Sequence, residues 1–156
     1  MMNSKQNELS IKLGTWVASR IERIEIILFL LFIASMCIKV FTNIPVNALI
    51  ILSLVALALA YFFNAFAIIN EGNINPIDVF LNKLVNWACS VALVGILFRL
   101  QNMFNYEVMV IVGCGLLAIA LPVIIYRKSK EDVLKLFNAR YLIRMVLICA
   151  IGFMLA

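Results

Sequence analysis

Two asparagines, Asn64 and Asn86, stand inside otherwise apolar stretches, and their amides are the sharpest chemical features of the chain. An amide in hydrocarbon is costly without a partner, so it must bond across to another helix or face water. In the first stretch Ser53, Ala56, Ala60, Asn64 and Ala67 recur at spacings of three and four; in the next, Asn82, Asn86 and Ser90 recur at four. Those spacings put each set on one helix face. Such a face serves either close packing, with interhelical hydrogen bonds of about 0.6 kcal/mol each on average, or a polar path for an ion or small solute lined by Asn64, Asn86, Ser53 and Ser90. A path of amides and hydroxyls without a buried charge discriminates poorly between solutes. Cys149, Gly152 and Ala156 form a shorter set of small residues near the C-terminus.

Lys39, Arg99 and Glu107 make a second constellation. Each cation sits where an apolar run gives way to a short polar turn, "CIKVFTNIPVN" and "LFRLQNMFNYE", and Glu107 is the one acid near either turn. Long cationic side chains there reach the membrane interface and bind the last carbonyls of their own helix. With Glu107 they could also form a charge cluster on the outer face that holds an ion or ligand.

The residue types needed for catalysis are missing. The chain has no histidine, which removes histidine general bases, Ser-His and Cys-His pairs, histidine haem ligation and histidine-containing zinc sites. The eight acids lie at or near the ends of apolar runs, and no glycine-rich phosphate loop or G-x-S-x-G occurs. Cys37, Cys89, Cys114 and Cys149 lie far apart and form no C-x-x-C, so they read as small buried hydrophobes. A redox pair of Cys37 and Cys114 is the remaining thiol alternative. No catalytic, cofactor-binding or metal-ligating residue is assigned, and no cofactor is expected.

The elements that position these residues follow from composition. Of 156 residues, 65% are hydrophobic and 13% charged, against about 45–50% and 25% in soluble domains. The formal charge is +5, but the basic residues collect between apolar runs, where they would meet anionic headgroups and leave no stripe for nucleic acid. A spanning helix takes about 20 mostly apolar residues, and runs at about 24–41, 46–69, 79–99 and 108–126 provide them. A fifth, 141–156, holds 16 residues and reaches only about 24 Å at the helical rise. A helix starting near Lys130, with Arg144 snorkelling, would let it cross a slightly thinned bilayer. Five spans are therefore predicted, alternatively four.

With the N-terminus cytoplasmic, eleven cations fall inside (Lys5, Lys12, Arg20, Arg23, Lys83, Arg127, Lys128, Lys130, Lys135, Arg140 and Arg144) and two, Lys39 and Arg99, outside. That bias fixes a multi-pass orientation in a bacterial inner membrane, with the C-terminus outside if there are five spans. The basic N-terminal region is too long for a signal peptide and its apolar run lacks a small-residue cleavage site, so the run reads as an uncleaved first anchor.

Local chemistry marks the helix ends. In "NEGNINPID", Gly72 is placed to end one helix, Asn75 to cap the next, Pro76 to occupy its first position and Asp78 its first turn. "SKED" at 129–132 matches a capping box for the last helix. Within residues 1–23, Leu9, Leu13, Trp16, Val17, Ile21 and Ile24 recur at helical spacing opposite Glu8, Lys12, Thr15, Ser19 and Glu22. This predicts an amphipathic helix that lies in the inner interface or docks a soluble partner.

An offset of 60 residues aligns the two turns without a gap: Lys39 meets Arg99, Ser35 meets Gly95, Ile51 meets Ile111, Ser53 meets Gly113 and Leu57 meets Leu117. Each copy would enter and leave on the same side, a parallel duplication about an axis along the membrane normal. The unit, a small residue, then apolar-basic, a short turn and a long apolar helix, runs Gly95 to Gly113 in the second copy and Ser35 to Ser53 in the first. It resembles a hairpin of small multi-span Bacteroidota inner-membrane proteins, including the two-helix subunit of the gliding and type IX secretion motor. Their turn is typically Trp-Pro-Gly; here Pro45 is present in the first turn, and tryptophan and glycine are absent from both. The resemblance implies the hairpin. It does not imply proton-driven motor function, because the glutamate of the motor's second helix has no counterpart in "VGCGLLAIAL".

The expected fold is thus all-α: an interfacial helix over residues 1–23, then a transmembrane helical bundle over 24–156. The expected role is a non-enzymatic structural subunit or scaffold of a membrane assembly, partnered by the bilayer and by other membrane subunits or further copies of itself, with no nucleic acid. The alternative is a small channel or transporter using the Asn64, Asn86, Ser53, Ser90 path.

Overall fold

The computed structural model describes residues 2–42, 46–67, 75–130 and 139–155, with side-chain environments for 9–42, 46–67, 75–127 and 142–152. Those residues form an all-helical bundle: α1 (Met2–Ala18), α2 (Ile21–Thr42), α3 (Asn47–Asn64), α4 (Pro76–Leu100), α5 (Tyr106–Lys130) and α6 (Ala139–Leu155). Helices α2 to α5 are long and apolar enough to cross a membrane, and α6 carries a shorter apolar stretch, Leu142–Gly152.

The ends of the helices are chemically specified. At the start of α4 the Asn75 side chain accepts from the Ile77 N–H at 3.0 Å, from an extended backbone, and Pro76 takes the first helical position where no N–H is needed. At its other end the Met103 N–H reaches the Phe98 carbonyl at 2.9 Å and the Asn102 N–H reaches that of Arg99 at 3.0 Å. This is a Schellman closure, with Asn102 at a φ of 54° in the left-handed region that asparagine tolerates. Asn105 repeats that conformation before α5 begins.

Three expected boundaries shift. Helix α3 stops at Asn64, several residues before 69, as the Ala65 N–H closes on the Tyr61 carbonyl and the chain turns. Ser129 and Lys130 are the last residues of α5, not the start of the last helix, while Glu131 and Asp132 of that motif lie outside the described residues. Ser129 has helical backbone within α5, which an N-cap residue does not adopt. Gly72 also lies outside the described residues.

Helix α4 is the centre of the bundle and packs against α3, α5 and α6; α2 packs along α3, and α1 against the end of α3. Close approach between α4 and α5 rests on two glycines. A Cβ on Gly95 would meet the Val110 backbone nitrogen at 2.8 Å, and one on Gly113 would meet the Ala92 backbone nitrogen at 2.6 Å. At the positions 60 residues earlier, buried Ser35 and Ser53 donate to their own helix, to the Leu31 carbonyl at 2.7 Å and the Ile50 carbonyl at 2.9 Å. With the hydroxyl absorbed locally, serine acts as a small residue there.

Helix α1 is held to the bundle through Gly14 and Val17. Gly14 lies against the α3 terminus, where a Cβ would meet Phe63 O and Ala67 N at 2.8 Å, and Val17 is buried beside it. Leu9, Leu13 and Trp16, expected on the same apolar face as Val17, are turned outward at 60%, 47% and 53% exposure, and Arg20 stacks over the Trp16 ring at 4.6 Å. Backbone contact at the glycine sets the rotation of this helix and leaves Leu9, Leu13 and Trp16 as an outward apolar row.

Candidate functional site

The buried face of α6 is Met145, Ile148 and Gly152, directed at the α4–α5 pair. That phase turns the preceding residue, Arg144, toward α2, where its Nη1 donates to Glu25 Oε1. Arg144 is therefore held by an acid 119 residues away and does not snorkel alone to the interface. Its guanidinium also stands 5.3 Å from the centre of the Tyr61 ring on α3, a cation–π distance, with the Tyr61 side chain beside the Glu25 carboxylate. Three helices thus contribute one side chain each to a polar triad. Glu25 lies four residues into α2, about 6 Å along the axis, so it belongs to the body of the helix rather than its end.

The triad forms one end of a cavity of about 270 Å³. Ile26, Phe29 and Leu30 of α2 and Leu147 of α6 make its sides, and Leu57 and Ile148 its floor. The floor residues are buried while Ile26, Leu30 and Leu147 are exposed, so the cavity opens sideways through the flank of the bundle.

A second ion pair joins α4 to α5 over 49 residues of sequence: Arg127 Nε donates to Asp78 Oδ1 at 2.6 Å and Nη2 to Oδ2 at 3.3 Å. The Asp78 side chain is 0% exposed and that of Arg127 20%. Asp78, expected only as a first-turn residue, is thereby also a buried anion with a two-point guanidinium partner.

The expected polar row is brought together as a hydrogen-bonded chain. Asn64 Nδ2 donates to Asn86 Oδ1 at 2.9 Å, and Asn86 Nδ2 donates to the Asn82 carbonyl at 2.8 Å and to Asn82 Oδ1 at 3.2 Å. Ser90 donates to the Ala58 carbonyl at 2.9 Å, a second link between α3 and α4. Ser53, Ala60, Asn64, Asn86 and Ser90 are buried and Ala56 half-buried. Asn86→Leu is expected to destabilise the bundle by about 1–2 kcal/mol, leaving Asn64 without its acceptor, and Asn64→Leu/Asn86→Leu to recover part of that. Unfolding in mixed micelles checks both; single-variant losses that simply add in the double variant would mean the bond contributes nothing.

At the α4–α5 turn Arg99 donates to the Tyr106 hydroxyl and stacks over that ring at 4.6 Å, and the Tyr106 hydroxyl donates to Glu107 Oε1 at 3.2 Å. Lys39 stands exposed on α2 outside this chain of contacts, so Arg99 and Glu107 come together through Tyr106 while Lys39 does not join them. Cys114 is buried beside Cys149, whose thiol points at the Cys114 carbonyl at 4.0 Å, and Cys37 is exposed on α2. The structure thus pairs Cys114 with Cys149, not with Cys37.

No family model, curated protein or solved structure matches the chain. What the site can do therefore rests on its own geometry: among the described residues no three metal-ligating acids or cysteines converge, and the charges it holds are placed in opposite-sign pairs.

Proposed function

We propose that the chain is a non-enzymatic integral membrane protein, a structural subunit or scaffold of an assembly in a bacterial inner membrane. On this reading α2 to α6 are five spans, the N-terminus is cytoplasmic, the C-terminus lies outside, and α1 lies amphipathically along the inner interface. The observation that carries the reading is where the apolar surface points. Helix α2 packs mainly along α3 and leaves Ile26, Ile27, Leu30, Ile33 and Ile38 exposed along its length, a face suited to lipid or to a neighbouring membrane helix. Inside the bundle, by contrast, Asn64, Asn86, Ser90, Asp78 and Glu25 are all joined to partners on other helices. Polar groups so committed hold helices in register, which suits a scaffold.

The two hairpins, α2–α3 and α4–α5, are read as a parallel duplication, since buried serines in the first stand 60 residues before the close-packing glycines of the second. Their likeness to the Bacteroidota hairpin is one of shape. The channel alternative gains no support from the same contacts, because Asn64, Asn86, Ser53 and Ser90 each have a hydrogen-bond partner within the bundle.

Affinity capture from native membranes in several mild detergents is expected to return the chain with other membrane subunits or as a homo-oligomer. Recovery only as a monomer in all of them would overturn the scaffold role, and release by alkaline carbonate would overturn the membrane reading itself. Reconstituted protein is expected to show no conductance in planar bilayers.

A further inference from the structure

We infer that the cavity between α2 and α6 is a binding site for a single phospholipid whose headgroup carries both a phosphate and a primary ammonium. The inference rests on the membrane reading above and not on the scaffold role. Three observations converge. The cavity opens through the flank of the bundle between exposed Ile26, Leu30 and Leu147, so a molecule enters it sideways from hydrocarbon and not from water. Its volume of about 270 Å³ is roughly nine times the ~30 Å³ share of one water molecule, enough for a small headgroup and the upper part of one chain. Its long walls are aliphatic and aromatic, while its polar end holds one cation and one anion, Arg144 and Glu25, whose side chains keep 17% and 20% exposure.

The sign pattern selects the ligand. A ligand with one charge can satisfy only one member of the pair and sets its own charge beside the other. A headgroup with a phosphate and an ammonium can lay its anion on Arg144 and its donor on Glu25, converting one ion pair into two without leaving a net charge in the membrane. A guanidinium suits phosphate, being planar with several donors. A quaternary ammonium lacks the N–H that Glu25 would accept, so phosphatidylcholine fits less well than phosphatidylethanolamine. Leu57 and Ile148 then floor the first methylenes of the chain.

The test uses the full chain in a non-ionic detergent with equal amounts of phosphatidylethanolamine, phosphatidylcholine and phosphatidylglycerol, and native mass spectrometry of the retained adduct. One phosphatidylethanolamine is expected per chain, favoured by about tenfold, the factor a single charge-assisted hydrogen bond carries. Glu25→Gln removes the anion from the lining of the cavity and is expected to reverse the preference toward phosphatidylglycerol, a change of sign that a merely structural ion pair would not give. Leu147→Trp fills the groove without touching the charges and is expected to abolish the adduct while leaving the thermal transition in detergent intact. Equal retention of the three lipids by the unaltered chain, or an unchanged adduct in Leu147→Trp, would overturn the proposal. Because the protein stays in detergent-solubilised form throughout, these outcomes are independent of the carbonate-extraction result that tests membrane residence.

Discussion

Arg127→Leu is expected to lower the stability of the bundle by about 3–5 kcal/mol, the cost of leaving a buried charge uncompensated. The charge is that of Asp78, whose side chain has no exposure and whose two oxygens face the Arg127 guanidinium at 2.6 and 3.3 Å. The reverse change, Asp78→Leu, takes the carboxylate from a cation that keeps 20% exposure and is expected to cost less. Replacing both by leucine should recover most of the loss, because apolar packing can stand in for a buried pair once neither charge is left alone. Unfolding of the three variants in mixed micelles gives the order directly. If Arg127→Leu falls within about 0.5 kcal/mol of the parent, the range of ordinary surface changes, Asp78 must be stabilised by something other than its arginine.

The second large effect is expected at Gly113. Its added Cβ would lie 2.6 Å from the Ala92 nitrogen and 2.8 Å from the Ala92 Cα and Cβ, contacts with backbone that cannot rotate aside. Gly113→Leu must therefore part α4 from α5, at the overpacking cost of about 1–3 kcal/mol or more. Gly115 supplies the control, since a Cβ there meets nothing within 4 Å. Gly115→Ala is expected to be neutral or to stabilise by up to about 1 kcal/mol, the difference in helix propensity. A thermal scan in detergent that ranked the two glycines the other way would refute the α4–α5 contact as described.

The residues say plainly why some of this was legible in advance. Helix positions follow from apolar run length and from single capping residues, and Asn75 and Pro76 set the start of α4 as their chemistry demands. The asparagine row was legible as a face because a helix repeats every three to four residues, and Asn64 and Asn86 do meet. The ion pairs were not. A basic residue near a helix end looks the same from sequence whether it reaches for headgroups or for an acid, and Arg127 and Arg144 were read as the former. Which acid each one meets depends on the rotation of helices 49 and 119 residues apart, and that rotation is set by packing at Met145, Ile148 and Gly152 or at Gly113, not by the charges themselves. Tyr61 and Tyr106 were missed for the same reason: each carries an apolar ring that suits a membrane segment, and only the neighbouring arginine shows the ring in use. Gly14 gave no sequence signal, since one glycine in an amphipathic segment reads as a weak point until the α3 terminus is placed against it.

The Glu25–Arg144 contact also has a temporal side. A chain made from its N-terminus presents the glutamate first and must add 119 further residues before the arginine exists. At about 5–20 residues per second that delay is roughly 6 to 24 s, during which an acid already committed to a nascent hydrocarbon-bound segment has no guanidinium to meet. Until then the carboxyl can only be hydrated or protonated, and the appearance of Arg144 ends that interval. Closure of the α2–α6 contact is therefore a late event of synthesis, its timing set by the separation of its two partners along the chain.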